Sequence, residues 1–171
     1  MNISNSLSIS RIILAIPIII LLLMNKIEIA IGLGVIAGIT DFLDGYLARK
    51  LGQVTELGKI IDPIADKVFI GLIGIVLVYI DKMPLWFLAS IIGRDLLILI
   101  GGMYARKKIN ITLTSTFEGK ATYTIILLVT LGLVLDNIYA QRYGTLLALS
   151  AMAYTFFQYM SRMFREIRAR K

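Results

Sequence analysis

Four aspartates, Asp41, Asp44, Asp62 and Asp66, stand within the stretch 41–66. Asp41 and Asp44 are three residues apart and Asp62 and Asp66 four apart, spacings that put side chains on one helix face. Each pair borders an apolar run of membrane-spanning length. Carboxylates that close, in a low dielectric, protonate, separate or recruit cations. Two divalent ions balance four carboxylates, and two-metal carboxylate sites support phosphoryl displacement by holding the attacking and leaving oxygens. Gly45 follows Asp44, and Gly58 lies one turn before Asp62. Ala48 continues the Asp41–Asp44 face and Arg49 follows it. Small residues beside a cation suit a pyrophosphate or nucleotide lying along the helix. A single acid at a helix end is commonly just solvated. Four in paired spacing near a membrane read as a functional site.

Helices must position these acids. The chain has 171 residues, 58% hydrophobic and 17% charged, with a mean hydropathy of +0.83. That balance excludes an ordinary soluble domain. Apolar runs at 12–24, 27–47, 60–80, 84–104, 119–136 and 143–163 approach the roughly 20 helical residues that cross a bilayer. The expected fold is an all-α, polytopic membrane protein: six transmembrane helices in a single domain over 1–171. The opening residues MNISNSLSIS are expected to form a short interfacial helix before the first span. Pro63 suits the first turn of span 3. A connection over 48–59 lets spans 2 and 3 pack antiparallel, so that the two Asp pairs meet at one depth.

The chain contains no His and no Cys. Imidazole and thiolate chemistry are absent, and a metal would be held by oxygen, which favours Mg²⁺, Mn²⁺ or Ca²⁺. The net charge of +7 is read as a collar attracting anionic lipids and not as a nucleic-acid surface. Arg49, Lys50, Lys59, Arg106, Lys107, Lys108 and the tail Arg162, Arg165, Arg168, Arg170 and Lys171 lie on one side, against Lys26, Lys82 and Arg142 on the other. The positive-inside rule makes the first side cytoplasmic, with both termini and the acidic site. No cleavable signal pattern follows the first apolar run, which is expected to be retained.

Written out, the acidic stretch is Asp41-x2-Asp44-Gly45-x2-Ala48-Arg49-x8-Gly58-x3-Asp62-x3-Asp66. It resembles the signature of the CDP-alcohol phosphatidyltransferase family at all eight positions and at the family's spacing. The resemblance implies a cell-membrane transferase of phospholipid biosynthesis. A CDP-linked lipid, usually CDP-diacylglycerol, reacts with an alcohol, and CMP leaves. It further implies that Asp41, Asp44 and Asp62 hold two Mg²⁺ or Mn²⁺ ions, with Asp66 completing the site and acting as general base. Gly45, Ala48, Arg49 and Gly58 would lie against the CDP moiety, and the protein would be a homodimer.

The acceptor is read from weaker signals. Asn2-x2-Asn5-x-Leu7-Ser8-x2-Arg11 resembles a pattern of phosphatidylglycerophosphate synthases, with Ser8 where Thr is usual. Gly119-Lys120-x-Thr122 resembles their Gly-Lys-x-Lys-Thr, with Ala121 replacing the second Lys, and the run Gly58–Lys67 is also close to theirs. Glycerol 3-phosphate is therefore the expected acceptor, and Arg94, Arg106 and Lys120 are the candidate cations for its phosphate. Gly93-Arg94-Asp95 departs from this pattern and resembles the cardiolipin synthase branch, which uses phosphatidylglycerol. A salt bridge between Arg94 and Asp95 is expected to be sterically poor, because adjacent helical residues do not face each other. Trp86, Tyr104, Tyr123 and Tyr139 are read as interfacial anchors, and Gly34 and Gly38 as a helix-packing pair. A small cation transporter is the rival class. It would put acids at the midplane on broken helices and paired repeats, which this chain does not show. A structural subunit would leave four acids unexplained.

Overall fold

The structure is a computed structural model. It describes the backbone of residues 3–50, 58–109 and 117–169, and the side chains of 13–40, 67–105 and 117–168. The described residues are helical throughout, with no strand among them: α1 (Ile3–Leu23), α2 (Ile27–Lys50), α3 (Gly58–Tyr79), α4 (Leu85–Ile109), α5 (Phe117–Val134) and α6 (Thr145–Ala169). Each contains most of one expected apolar run. The separate interfacial helix expected at the N-terminus is not present. Residues from Ile3 onward continue unbroken into α1. Ser and Asn favour caps by bonding locally to the backbone, but a helix already nucleated by the apolar run extends through them at little cost. Pro17 lies inside α1, where its missing N–H leaves the Ile13 carbonyl without its usual donor.

The chain divides into two compact units, Met1–Asp81 and Lys82–Lys171. In the first unit α1 packs against both α2 and α3. Its buried stripe is Ala15, Ile18 and Leu22, a helical spacing. α2 answers with Ala30 and Ala37, and α3 with Leu77. In the second unit α6 packs against both α4 and α5. α5 buries Thr122, Ile126, Val129 and Leu133, and α6 buries Ala148, Met152, Thr155, Met163 and Ile167. The opposite faces carry Ile13, Ile16, Ile20, Ile36, Ile100, Leu127, Leu128 and Phe157, all exposed. Apolar surface that extensive needs a lipid or protein neighbour. Two described segments, Leu85–Ala105 and Phe117–Val134, are long and apolar enough to cross a bilayer. Ile13–Leu23, Ile27–Thr40 and Lys67–Tyr79 are apolar but shorter.

α1, α3 and α5 end in one way. Asn25, Asp81 and Asp136 follow them with φ of 56°, 58° and 56°, the left-handed conformation that Asn and Asp tolerate best after Gly. The N–H of Asn25 donates to Leu22 O (3.0 Å) and that of Lys26 to Leu21 O (2.9 Å). After α5, Asp136 N–H reaches Leu133 O (3.1 Å) and Asn137 N–H reaches Gly132 O (2.9 Å). These are Schellman closures, which satisfy carbonyls the helix leaves open. Asn137 then caps the next helix, its Oδ1 accepting the N–H groups of Tyr139 (2.9 Å) and Ala140 (3.1 Å). The chain enters α6 through a π-helical turn, Ala140–Gly144. Lys82 pairs with Asp136, tying the segment before α4 to the end of α5.

Gly132 makes that turn possible. A Cβ added there would lie 2.5 Å from the Cβ of Ala140. Gly132→Ala would improve helix propensity by about 1 kcal/mol, but overpacking against so short a side chain costs about 1–3 kcal/mol. The expected net result is a lower melting temperature in detergent, and an unchanged or higher one would show that the α5–α6 turn accommodates the methyl. Gly34 and Gly38 behave differently from expectation. A Cβ at either would meet nothing within 4 Å, so neither seats a neighbouring helix within the described part of this chain.

Candidate active site

The acidic motif is divided between two helices of the first unit. Asp41 and Asp44 fall in the last half of α2, and Asp62 and Asp66 in the first half of α3. At 1.5 Å per residue, Asp41 lies about 13 Å and Asp44 about 9 Å before the end of α2, while Asp62 lies about 6 Å and Asp66 about 12 Å after the start of α3. The pairs thus stand at matched distances from the connection 51–57. Gly45, Ala48 and Arg49 follow on α2, and Gly58 opens α3. The side chains of these residues, and of Arg106, lie outside the described ones, as does any contact between the Asp pairs. Within the described residues no three acids converge on a common point. The donor set itself, four carboxylates with no soft ligand, fits a hard oxygen-seeking cation such as Mg²⁺ or Mn²⁺.

The second unit holds a polar cluster inside its apolar helices. Arg94 and Asp95 are 9% and 6% exposed, in the middle of the Leu85–Ala105 segment. Arg94 Nη1 donates to Asp95 Oδ1 at 2.9 Å, so the pairing expected to be sterically poor is formed. Cβ geometry disfavours neighbours, but the guanidinium rides on a long stem and can turn back. Two other helices hold it there. Arg94 Nη2 donates to Thr155 Oγ1 on α6 at 3.2 Å. On α5 the Tyr123 ring lies beneath the guanidinium, 5.1 Å from Cζ to the centroid, within cation–π range. The Tyr123 hydroxyl sits astride the Asp95 carboxylate, 2.8 Å from Oδ1 and 2.7 Å from Oδ2. Arg94 Nε is buried with no hydrogen-bond partner among the described residues.

This arrangement changes two readings. Tyr123, expected as an interfacial anchor, also links α5 to the buried acid of α4. Arg94, expected to meet an acceptor phosphate, already has its charge answered by a carboxylate in contact. A neutral pair exerts little net pull on a further anion. Lys120 is exposed in the first turns of α5. Trp86, Tyr104, Tyr123 and Tyr139 are all exposed. Thr155 was missed as a cluster member because a threonine hydroxyl in an apolar run usually bonds its own helix, as it also does with Ala151 O at 2.9 Å, and Tyr123 because a tyrosine near the end of an apolar run reads as an interfacial anchor. The one available signal was a charge of each sign at mid-span, which in a membrane demands partners.

Comparison with known proteins agrees with the motif. A family model described as CDP-alcohol phosphatidyltransferase matches residues 1–157. The chain is 37% identical over 142 residues to a CDP-diacylglycerol–glycerol-3-phosphate 3-phosphatidyltransferase of Aquifex aeolicus, covering 81% of this chain and 79% of that protein. It is 44% identical over 101 residues to the protein of the same name in Rickettsia typhi, covering 57% and 56% respectively. It is also 40% identical over 106 residues to a cardiolipin synthase (CMP-forming) of Rattus norvegicus, covering 61% of this chain and 35% of that protein. The chain thus spans about four-fifths, half and a third of these relatives.

Proposed function

The chain belongs to the CDP-alcohol phosphatidyltransferase family, a membrane transferase of phospholipid biosynthesis, and from that premise we propose that it transfers a phosphatidyl group from CDP-diacylglycerol to glycerol 3-phosphate, releasing CMP. The acceptor oxygen bonds to the phosphatidyl phosphorus as the bond from that phosphorus to CMP breaks. The observation that supports this most is the motif itself: four acids at matched distances along two helices joined by one short connection. Asp41, Asp44, Asp62 and Asp66 would hold two divalent ions, Mg²⁺ or Mn²⁺. When bound, such ions neutralise the pyrophosphate and stabilise the departing CMP. Asp66 takes the proton of the acceptor hydroxyl. Gly45, Ala48 and Gly58 leave room for the CDP moiety and Arg49 supplies a cation to it. Arg106 and Lys120 bind the acceptor's phosphate, while Arg94, neutralised by Asp95, holds its three helices together. The chain would cross the membrane six times with both termini and the site cytoplasmic, and would act as a homodimer.

The Gly93-Arg94-Asp95 sequence and the likeness to the rat cardiolipin synthase favour a second reading, in which phosphatidylglycerol is the acceptor. One experiment separates the two. Purified protein is given CDP-diacylglycerol and Mg²⁺ or Mn²⁺ with one acceptor at a time, and CMP is measured. Release with glycerol 3-phosphate, abolished by EDTA and restored by excess divalent ion, is the expected result. Release with phosphatidylglycerol alone would establish the second reading, and release with neither would refute both.

A further inference from the structure

The Asp95–Tyr123 contact does more than satisfy a buried acid. α6 packs against both α4 and α5, but among the described residues α4 and α5 share no comparable interface. The Tyr123 hydroxyl, 2.8 and 2.7 Å from the two Asp95 oxygens, crosses between them. Asp95 is in turn held by Arg94, and Arg94 by Thr155 of α6. The start of α5 is thereby pinned to a three-helix polar cluster. Lys120 lies three residues before Tyr123, a spacing that makes them neighbours on one helix face. Thr124 Oγ1 also donates to the Lys120 carbonyl, at 3.2 Å, within the same turns.

We infer that Tyr123 is a positioning residue for the acceptor step, fixing through its hydroxyl on Asp95 the first turns of α5 and with them the Lys120 ammonium that meets the acceptor's phosphate. The inference rests on the reading of Lys120 as an acceptor contact. A flexible lysine stem on a loosely held helix end would lose rotational freedom with each binding event, whereas a pinned helix leaves only the stem to order. The hydroxyl therefore acts on acceptor affinity and not on the donor or on the bond-making step.

The test is a double-mutant cycle on purified protein. Tyr123→Phe keeps the ring under Arg94 and removes the hydroxyl. It is expected to raise KM for glycerol 3-phosphate about tenfold, the effect of one hydrogen bond to a charged group, with kcat and KM for CDP-diacylglycerol unchanged. Lys120→Ala is expected to raise the same KM further, and adding Tyr123→Phe to it should change nothing more, because coupled residues are not additive. Multiplying effects, or a fall in kcat with both KM values altered, would overturn the inference and make Tyr123 a structural residue. An unchanged KM in Lys120→Ala would overturn it at its base, while CMP release by the wild type with glycerol 3-phosphate would leave the proposed reaction standing. A second readout needs no turnover. The chain has no cysteine, so Lys120→Cys is a unique thiol label. With no ligand present, adding Tyr123→Phe should change the rate at which a charged thiol reagent labels it, because the first turns of α5 are no longer held in place. Equal labelling rates in both backgrounds would count against the inference.

Discussion

Asp66→Asn is expected to abolish CMP release while CDP-diacylglycerol still binds. Asparagine keeps the size and an oxygen of the carboxylate but cannot take a proton from the acceptor hydroxyl. General-base catalysis contributes about 10²–10⁴-fold in rate, and the same change also removes one negative charge from the proposed metal-binding set. Turnover should therefore fall by at least that factor. Single-turnover CMP release and equilibrium binding of labelled CDP-diacylglycerol, measured on one preparation, separate the two effects. Wild-type turnover would remove Asp66 from the base role. Loss of donor binding together with turnover would make it chiefly a metal ligand.

Arg94→Met is expected to cost about 3–5 kcal/mol, the penalty for leaving a buried charge without its partner. Asp95 would remain in the interior of α4 with the Tyr123 hydroxyl still on it but without the Arg94 guanidinium. Adding Asp95→Leu removes the other half of the ion pair and should recover part of the loss, since apolar residues of similar volume commonly replace a buried ion pair without penalty. Thermal unfolding in detergent, for both single variants and the double variant, reads this directly. If Arg94→Met alone unfolds at the wild-type temperature, the cluster does not hold α4, α5 and α6 together. The same cycle bears on function: an Arg94 that met the acceptor's phosphate would leave the double variant stable but with a raised KM for glycerol 3-phosphate.

How much of this was readable beforehand differs by element. The helices α2, α3, α4 and α5 begin and end within a few residues of the apolar runs at 27–47, 60–80, 84–104 and 119–136, because in an apolar solvent every backbone group must be bonded within its own segment. Residues 3–10, expected in a separate interfacial helix, continue into α1 instead. The left-handed closures at Asn25, Asp81 and Asp136 had a signal that was passed over: an Asn or Asp directly after an apolar run. The Arg94–Asp95 pair failed a rule built on Cβ positions, which a four-bond stem need not obey. Its other partners are 28 and 61 residues away in sequence, beyond any periodicity.

The sequence by itself determined the chemistry available to this protein. Four acids at fixed helical spacings and no imidazole or thiol restrict any metal this chain binds to oxygen ligands, because those properties belong to residue types and to the helix repeat. Only the tertiary structure decided which charges are spent inside the fold and which remain available to a ligand. Arg94 looked like a substrate cation until α5 and α6 brought Tyr123 and Thr155 around it and its own neighbour Asp95. Burial and partnership depend on what other helices bring into a low-dielectric interior, and that is set by packing, not by order along the chain.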